Sequence, residues 1–409
     1  MTPAPAIPAS PGRRHDIDAL RALAFALLIL YHLCMLYVAD WGWHIKSPQT
    51  FEWLQLPMVL VNRWRMDLIF LISGVASAFL IKPDLLKPGF PGRFLASRTV
   101  RLLLPLVFGI AVVVPIQPYV QGVSNGLVHP GFLHFLLDYY TGKPWPKDAF
   151  DGWYYGFTWN HLWYLAYLWI YTIALALLAR PLESRLGRKL RSLFTGLRGP
   201  ALMLLPVVPF WLYAFTLQPL FPDNGDFIHD WYRNAVYFTV FVYGYVVARD
   251  SGFWVEATRL RWATLACAAA IFVVRIVLGS IYPDEAPAWI DALALVLRNL
   301  YMWSMLLTIL GWAHARLDRP FRWLPWANEN VYPWYILHQS LIIALAYWLL
   351  PLRLHPALEA LAILTLTVAG CWAVTALVRR VGWLRPLFGL KALQRAAPSP
   401  SLLQSPQAQ

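Results

Sequence analysis

Apolar runs long enough to cross a lipid bilayer follow one another along almost the whole chain, separated by short charged or Pro- and Gly-rich segments. A spanning helix needs roughly 20 mostly apolar residues, and charges or turn residues mark its ends. The pattern predicts an all-α polytopic membrane protein of about ten transmembrane helices. Prolines inside the third and fifth runs are expected to kink them. The runs cover residues 17–39, 57–81, 102–120, 160–179, 200–220, 231–248, 262–281, 292–313, 331–350 and 357–378.

Basic residues are distributed unequally between the two sets of connections. Lys and Arg are frequent before the first run and in every second connection, whereas the other connections hold only Lys46, Lys143, Lys147, Arg233 and Arg353. Because cytoplasmic loops carry the excess of Lys and Arg, this asymmetry predicts that both termini are cytoplasmic. An even number of spans agrees with that orientation.

The composition supports the same class. The chain of 409 residues is 59% hydrophobic and 13% charged, with a mean hydropathy of +0.50. A net charge of +13 would suggest nucleic acid in a soluble protein, but basic loops beside membrane lipids explain it here, and we expect no nucleic-acid partner. The three cysteines lie in apolar runs without metal-type spacing. We expect disordered tails at residues 1–12 and 396–409 around one membrane domain at residues 13–395, of unknown oligomeric state.

The first run, D-I-D-A-L-R-A-L-A-F-A-L-L-I-L-Y-H, carries Asp18, Arg21 and His32. At 100° per residue, Arg21 and His32 fall within about 20° of each other and about 16 Å apart along the axis. Asp18 and Arg21 could form an ion pair at the interface while His32 bonds to another helix, or all three could line a polar track. His32 would lie about 21 Å above Asp18, where a neutral imidazole could accept a proton from an attacking hydroxyl.

The second run contains N-R-W-R-M-D followed by S-G, which places Arg63, Arg65 and Asp67 at a depth similar to that of His32. These side chains could hold an oxyanion, an acyl carboxylate or an acceptor, or they could form an Arg–Asp network at the interface. Ser73 and Gly74 are expected to permit close helix approach.

Arg98 and Arg101, in S-R-T-V-R-L-L-L-P, share one helix face at the cytoplasmic start of the third run. Guanidinium groups suit phosphate, although cytoplasmic arginines are also expected from topology alone. His161 and Trp163, in N-H-L-W-Y-L, open the fourth run at its outer end.

The ninth run, within A-N-E-N-V-Y-P-W-Y-I-L-H-Q-S, carries Glu329 at its cytoplasmic start and His338 nine residues further on. Glu329 could orient a cationic or hydroxyl partner, or simply favour the helix dipole. His338 could be a second wall of the track or a structural hydrogen-bonding group. The aromatic outer connection at residues 121–159 could stack on sugar rings or form an interfacial lid.

These five blocks, in this order, resemble the signatures of the membrane acyltransferase 3 family, and most of all its branch that succinylates periplasmic glucans. The resemblance covers nearly the whole membrane region. It implies an O-acyltransferase of the bacterial inner membrane that moves a succinyl or acetyl group from acyl-CoA to a glycan hydroxyl, with no permanently bound cofactor or metal. The implied roles are catalysis by His32 with Asp18 or Glu329, acyl-CoA binding by Arg21, Arg98 and Arg101, and substrate binding by Arg63, Arg65, Asp67, His161, Trp163 and His338.

Two other classes of function are compatible with the polar stripe. A proton-coupled transporter could use Asp18, Arg21, His32 and Glu329 as a relay, and inverted repeats, which the sequence does not display, would favour it. A membrane scaffold without activity would leave the stripe unexplained.

Overall fold

The computed structural model describes residues 14–81, 85, 87–152, 155–221 and 227–392, and the two expected tails lie outside these ranges. The described residues form helices and no extended strand, as the hydrophobic pattern predicts. The first eight are α1 (His15–Cys34), α2 (Gln55–Asn62), α3 (Arg65–Ile81), α4 (Gly92–Phe108), α5 (Ile116–Ser124), α6 (Phe132–Thr141), α7 (Trp163–Leu182) and α8 (Arg185–Thr195). The others are α9 (Pro200–Leu204), α10 (Val208–Thr216), α11 (Trp231–Val247), α12 (Ser251–Ile281), α13 (Ala288–Leu317), α14 (Leu324–Leu349), α15 (Pro356–Arg380) and α16 (Leu384–Leu387).

Within the described ranges, eight helical segments are long and apolar enough to cross a membrane, and a ninth results if the bent pair at residues 185–216 is one span. The eight coincide with eight of the ten predicted runs. The run at 200–220 is instead broken near Pro206, and the run at 231–248 forms the 17-residue helix α11. The total of ten spans and the cytoplasmic position of the termini stay predictions.

Helix α3 lies between α1 and α11 at the centre of the bundle, and two glycines set its distance from α11. A Cβ atom on Gly74 would lie 1.9 Å from the carbonyl oxygen of Phe241, and one on Gly244 would lie 2.1 Å from that of Leu71. Small residues allow backbones in a membrane to approach closely, so these two positions exclude any side chain. The expectation for Gly74 is confirmed.

The start of α1 is attached to α13 through Asp16. Its buried carboxylate accepts hydrogen bonds from Arg14 at 2.6 Å and from His314 at 2.9 Å. Ligand atoms of Asp16, His314 and Asp318 lie within 4.8 Å of one another, as in a metal site. Because Arg14 already neutralises Asp16 at hydrogen-bond distance, an ion pair accounts for this geometry.

Pro105 interrupts α4 and creates a contact with α14. A proline has no N–H, so the carbonyl oxygen of Arg101, four residues earlier, loses its usual helical donor. The hydroxyl of Tyr332 donates to that oxygen at 3.1 Å. A π-helical segment at Gly109–Val113 then leads to the second break at Pro115. Residues 92–124 form one candidate span, and the kinks expected in this run stay predictions.

The connection after α1 folds back over the end of the bundle at which α1 ends and α15 begins. Glu359 of α15, which is 2% exposed, accepts hydrogen bonds from Tyr37 at 3.0 Å and from Ser47 at 3.3 Å. Lys46 donates to the carbonyl oxygens of Met35 and Val38 within the same connection. These bonds hold the intervening residues 41–44 against α1 and α14.

We expect Gly74→Val to destabilise the protein by about 3 kcal/mol because the added side chain must displace the α11 backbone. The matched control is Gly279→Ala, a helical glycine with open space around its Cα, which should leave stability unchanged or slightly raised. Thermal unfolding of both purified variants in detergent measures the difference. Equal melting temperatures for the two would show that the α3–α11 crossing tolerates a side chain.

Candidate functional site

His32 and His338 meet between α1 and α14. Nδ1 of His32 lies 2.9 Å from Nε2 of His338, and the two ring planes are within 6° of parallel. His338 is completely buried, whereas His32 is partly exposed. The two histidines therefore form a hydrogen-bonded pair of which one member remains accessible.

Backbone carbonyl groups of α14 determine which ring nitrogens of this pair carry protons. Nδ1 of His338 lies 2.8 Å from the carbonyl oxygen of Tyr335 and 3.0 Å from that of Trp334. A carbonyl oxygen only accepts, so this Nδ1 carries a proton, and Nε2 of the neutral ring is an acceptor. His32 must then donate through its own Nδ1–H. Its Nε2 is left with a free lone pair, and no described residue bonds to it.

His161 lies next to this pair, with its ring centre 5.2 Å from that of His338. Its Nε2–H donates to the carbonyl oxygen of Ile336 at 3.0 Å, and its Nδ1 accepts from Nε2 of Gln117 at 3.1 Å. The same Gln117 amide also donates to Ser340 at 2.7 Å. His161 is thus a fixed, neutral wall of the site, held by α5 and α14.

A chain of amides extends from Gln117 to the outer connection. Gln339 donates to Oε1 of Gln117 at 2.9 Å and to Nε2 of His44 at 3.3 Å. The other nitrogen of His44 donates to Oε1 of Gln121 at 2.8 Å. Burial lowers the pKa of His44, so this ring is also neutral at pH 7. Sequence reasoning missed these groups, although Gln117 and Gln339 are polar residues inside apolar runs.

The outer side of His32 is bounded by Trp43, whose ring centre is 6.3 Å away, at 27° to the imidazole. On α3, the guanidinium carbon of Arg65 lies 3.4 Å from the ring centre of Tyr31, the residue before His32. Nε and Nη1 of Arg65 are buried and have no hydrogen-bond partner among the described residues. Arg65 therefore offers unused donors beside α1, as the sequence predicts for an oxyanion or carboxylate partner.

Helix α4 contains the second predicted group. Arg98 and Arg101 line a cavity of about 440 Å³, together with the basic side chains of Lys87 and Arg93. The rings of Phe90 and Phe94 complete its wall. The cavity combines several cations with two aromatic faces, and its volume is in the range of small-molecule sites.

Aromatic and polar groups fill the space between the cavity and the histidines. Tyr164 interacts electrostatically with both Arg98 and Arg21, and its ring centre is 6.0 Å from that of Tyr335. The Tyr335 ring lies in turn 6.1 Å from His338. These contacts connect the two predicted groups in one continuous polar and aromatic path.

The remaining predicted residues have other partners. Arg21 donates to Asp18 at 3.1 Å and to Asn328 of α14 at 2.7 Å, and the first of these bonds is the interfacial ion pair anticipated for Asp18. Glu329 pairs with Arg379 of α15 at 3.0 Å. The roles proposed for Asp18 and Glu329 in assisting His32 stay predictions, and the structure adds His338 as a direct partner.

Trp163 packs in the aromatic core of the bundle, with its ring centre 4.9 Å from Tyr167 and 5.9 Å from Tyr237. Asp67 is buried, and its Oδ1 has no hydrogen-bond partner in the described part of the chain. Arg63 is exposed at the end of α2. The structure thus brings His32, His338, His161 and Arg65 together, whereas it separates Arg63 and Asp67 from them.

The sequence is similar to that of a known protein family over most of its length. The acyltransferase domain family matches residues 14–376. A protein named glucans biosynthesis protein C from one Escherichia coli strain is 28% identical over 177 residues, which are 42% of this chain and 39% of that protein. Its counterpart from a second Escherichia coli strain is 23% identical over 366 residues, 86% of both chains. No solved structure shows significant similarity. Since the family match covers most of the helical bundle, the chain belongs to the acyltransferase 3 family of membrane proteins.

Proposed function

We propose that the protein transfers an acyl group from cytoplasmic acyl-CoA to a hydroxyl group of an extracytoplasmic glycan, with Nε2 of His32 as the general base. The observation that carries this proposal is the free lone pair on an accessible His32, whose other nitrogen is engaged by the buried His338. Family membership and the similarity to proteins named for glucan biosynthesis support it. The acyl group would be succinyl or acetyl, and the location the bacterial inner membrane.

In the proposed reaction, the acceptor oxygen attacks the thioester carbonyl carbon while its proton passes to Nε2 of His32. A tetrahedral intermediate with a negatively charged oxygen results. Arg65, near His32, has N–H groups without a hydrogen-bond partner among the described residues, and these could donate to that oxygen. Collapse of the intermediate breaks the C–S bond. The departing CoA thiolate takes the proton from the His32 imidazolium, which restores the neutral base.

His338 would act on the base and not on the substrate. When His32 becomes an imidazolium, its Nδ1–H bond to Nε2 of His338 becomes a charge-assisted hydrogen bond, which is shorter and stronger than a neutral one. The same bond holds the ring so that Nε2 points away from α14. His338 is therefore a positioning residue in this proposal, as the carboxylate partner is in other base-assisted transferases.

Acyl-CoA would enter from the cavity of Lys87, Arg93, Arg98 and Arg101. Several guanidinium and ammonium groups suit the phosphates of the nucleotide end, and Phe90 or Phe94 can stack on the adenine ring. For the thioester to reach His32, the pantetheine arm would have to displace side chains along the path past Tyr164 and Tyr335, which are buried.

The first test is mass spectrometry of surface and periplasmic glycans from a deletion strain complemented with wild type or with His32→Ala. Wild type should restore a mass increment that identifies the acyl group, and the variant should not, because general-base catalysis contributes about 10²–10⁴-fold. Equal increments in both complemented strains would remove His32 from the mechanism. Flux of a solute across vesicles without any covalent product would favour the transporter.

The second test concerns His338. We expect His338→Phe to lower kcat roughly 10–100-fold with an unchanged KM for acyl-CoA, because His32 loses the acceptor that orients it. His338→Gln, whose amide oxygen can accept from Nδ1–H, should recover part of the rate. Combining His338→Phe with His32→Ala should cost no more than His32→Ala alone. A raised KM with normal kcat would instead make His338 a substrate-binding residue.

The third test concerns the cavity. Replacing Arg98 and Arg101 together by Gln should raise the KM for acyl-CoA roughly 100-fold, because removing each guanidinium–phosphate pair weakens binding by about 1.4 kcal/mol. The salt dependence of KM should fall as well. Replacing Arg185 and Arg188, two exposed arginines of α8, together by Gln serves as the control for the loss of two positive charges. Equal KM values for the double variant and the control would place the CoA phosphates elsewhere.

A further inference from the structure

Four arginines from different parts of the chain converge at one side of the bundle. Arg275 donates to the carbonyl oxygen of Ala294, one turn before Arg298, and Tyr301, one turn after Arg298, donates at 2.8 Å to the carbonyl oxygen of Leu60, which lies close to Arg63 in the chain. The charges of Arg233, Arg275 and Arg298 accordingly act on Arg63. Arg233 lies in the first turn of α11, Arg275 near the end of α12, Arg298 in the first half of α13, and Arg63 just after α2. Since α11, α12 and α13 are joined by short connections and run antiparallel, these positions share one end, which the predicted topology makes the extracytoplasmic one.

The hydrogen bonds made by Arg298 and Arg275 leave most of their donors unused. Arg298 donates to Gln218 at 2.7 Å and to Tyr232 at 2.6 Å, both through Nη2. Arg275 donates to the carbonyl oxygen of Ala294 at 3.0 Å. Arg63 has no hydrogen bond to any described residue. Each guanidinium has five N–H donors, so the cluster retains a large capacity for an acceptor.

The charges of the cluster do not balance among the described residues. Arg233 has its own carboxylate, Asp230, at 3.7 Å. The buried Asp67 feels the charges of Arg233 and Arg298. The charged groups that act on Arg63 and Arg275 are other arginines, so positive charge is in surplus in the cluster. Charges inside a membrane domain are costly unless they are paired, so this surplus calls for an anion.

The cluster is separate from the histidine site. Arg65 lies on Tyr31 of α1, whereas Asp67, two residues later, belongs to the arginine cluster. Two residues on a helix are 200° apart, so α3 directs them to opposite sides. A ligand among the arginines would therefore not compete with an acyl group at His32.

We propose that Arg63, Arg275 and Arg298 form a binding site for a phosphate group. Guanidinium groups bind phosphate oxygens through paired N–H donors, and a phosphate monoester carries a charge of about −1.5 to −2, which would neutralise positive charge in the cluster. Arg63 is exposed, and Arg275 and Arg298 are half-buried. The phosphate can belong to an anionic lipid headgroup or to a soluble phosphate ester, and binding assays distinguish these two sources.

The test uses the full chain, purified and delipidated in detergent. Native mass spectrometry measures uptake of phosphatidylglycerol against phosphatidylcholine, and thermal shift measures stabilisation by inorganic phosphate against chloride at equal ionic strength. The variants are Arg63→Gln, whose exposed side chain can be removed without harm to the fold, and Arg298→Lys, which keeps the charge but not the planar donor pair. Lys143→Gln, an exposed charge on the same predicted side, is the control.

We expect Arg63→Gln and Arg298→Lys to weaken binding at least tenfold, while Lys143→Gln binds as the wild type does. Selective lipid uptake that disappears in the two variants assigns the site to a headgroup, and phosphate stabilisation that disappears in them assigns it to a soluble ester. Asp67→Asn should strengthen binding, because it removes the opposing negative charge. Absence of both signals in the wild type, or equal signals in all variants, would overturn the proposal.

Discussion

The hydrogen bond between His32 and His338 is the constraint on which the rest of the site depends. In the apolar interior of a membrane protein, a polar side chain without a partner costs several kcal/mol, so each ring must be satisfied by protein groups. The carbonyl oxygens of Tyr335 and Trp334 fix the proton on His338. Nε2 of His338 therefore accepts a hydrogen bond from Nδ1–H of His32, and Nε2 of His32 is left with a free, accessible lone pair. Two backbone carbonyl groups of α14 thus determine which nitrogen of His32 in α1 carries the proton.

The same logic extends to the surrounding amides. Gln117, Gln339 and Gln121 each connect an imidazole to another group, and the amide N–H donors of Gln117 and Gln339 all meet acceptors. Satisfied polar networks rigidify the structure around them, whereas a half-satisfied network is destabilising. Glu359 then fixes the connection that carries Trp43 and His44 over the pair. Few degrees of freedom remain for His32, as expected for a group that must be oriented before the substrate arrives.

Much of this arrangement could be predicted from local sequence, and the rest could not, for a physical reason. The helical periodicity of α1 places Asp18, Arg21 and His32 on one stripe, and the Asp18–Arg21 ion pair and the bond from His32 to another helix are both confirmed. The identity of that partner depends on the packing of α1 against α14, and the two histidines are 306 positions apart. The helical periodicity of one segment cannot predict a contact with a residue so distant in the sequence. For Glu329, the sequence correctly places the residue near the start of a helix, but it does not predict the partner, Arg379, which belongs to α15.

The second run illustrates how depth alone misleads. Arg63, Arg65 and Asp67 lie at similar heights, so the sequence suggests one group, yet a helix separates residues that are two positions apart by more than half a turn. Arg65 consequently joins the histidine site, whereas Asp67 lies near Arg233 and Arg298. The position of Arg298 inside an apolar run was a visible signal of function. Helix α3 is pressed onto α11 at Gly74 and Gly244, and this contact prevents it from rotating. The close glycine crossing therefore keeps Arg65 at the histidine site and Asp67 at the arginine cluster, because any rotation of α3 about its axis would displace both residues from these positions.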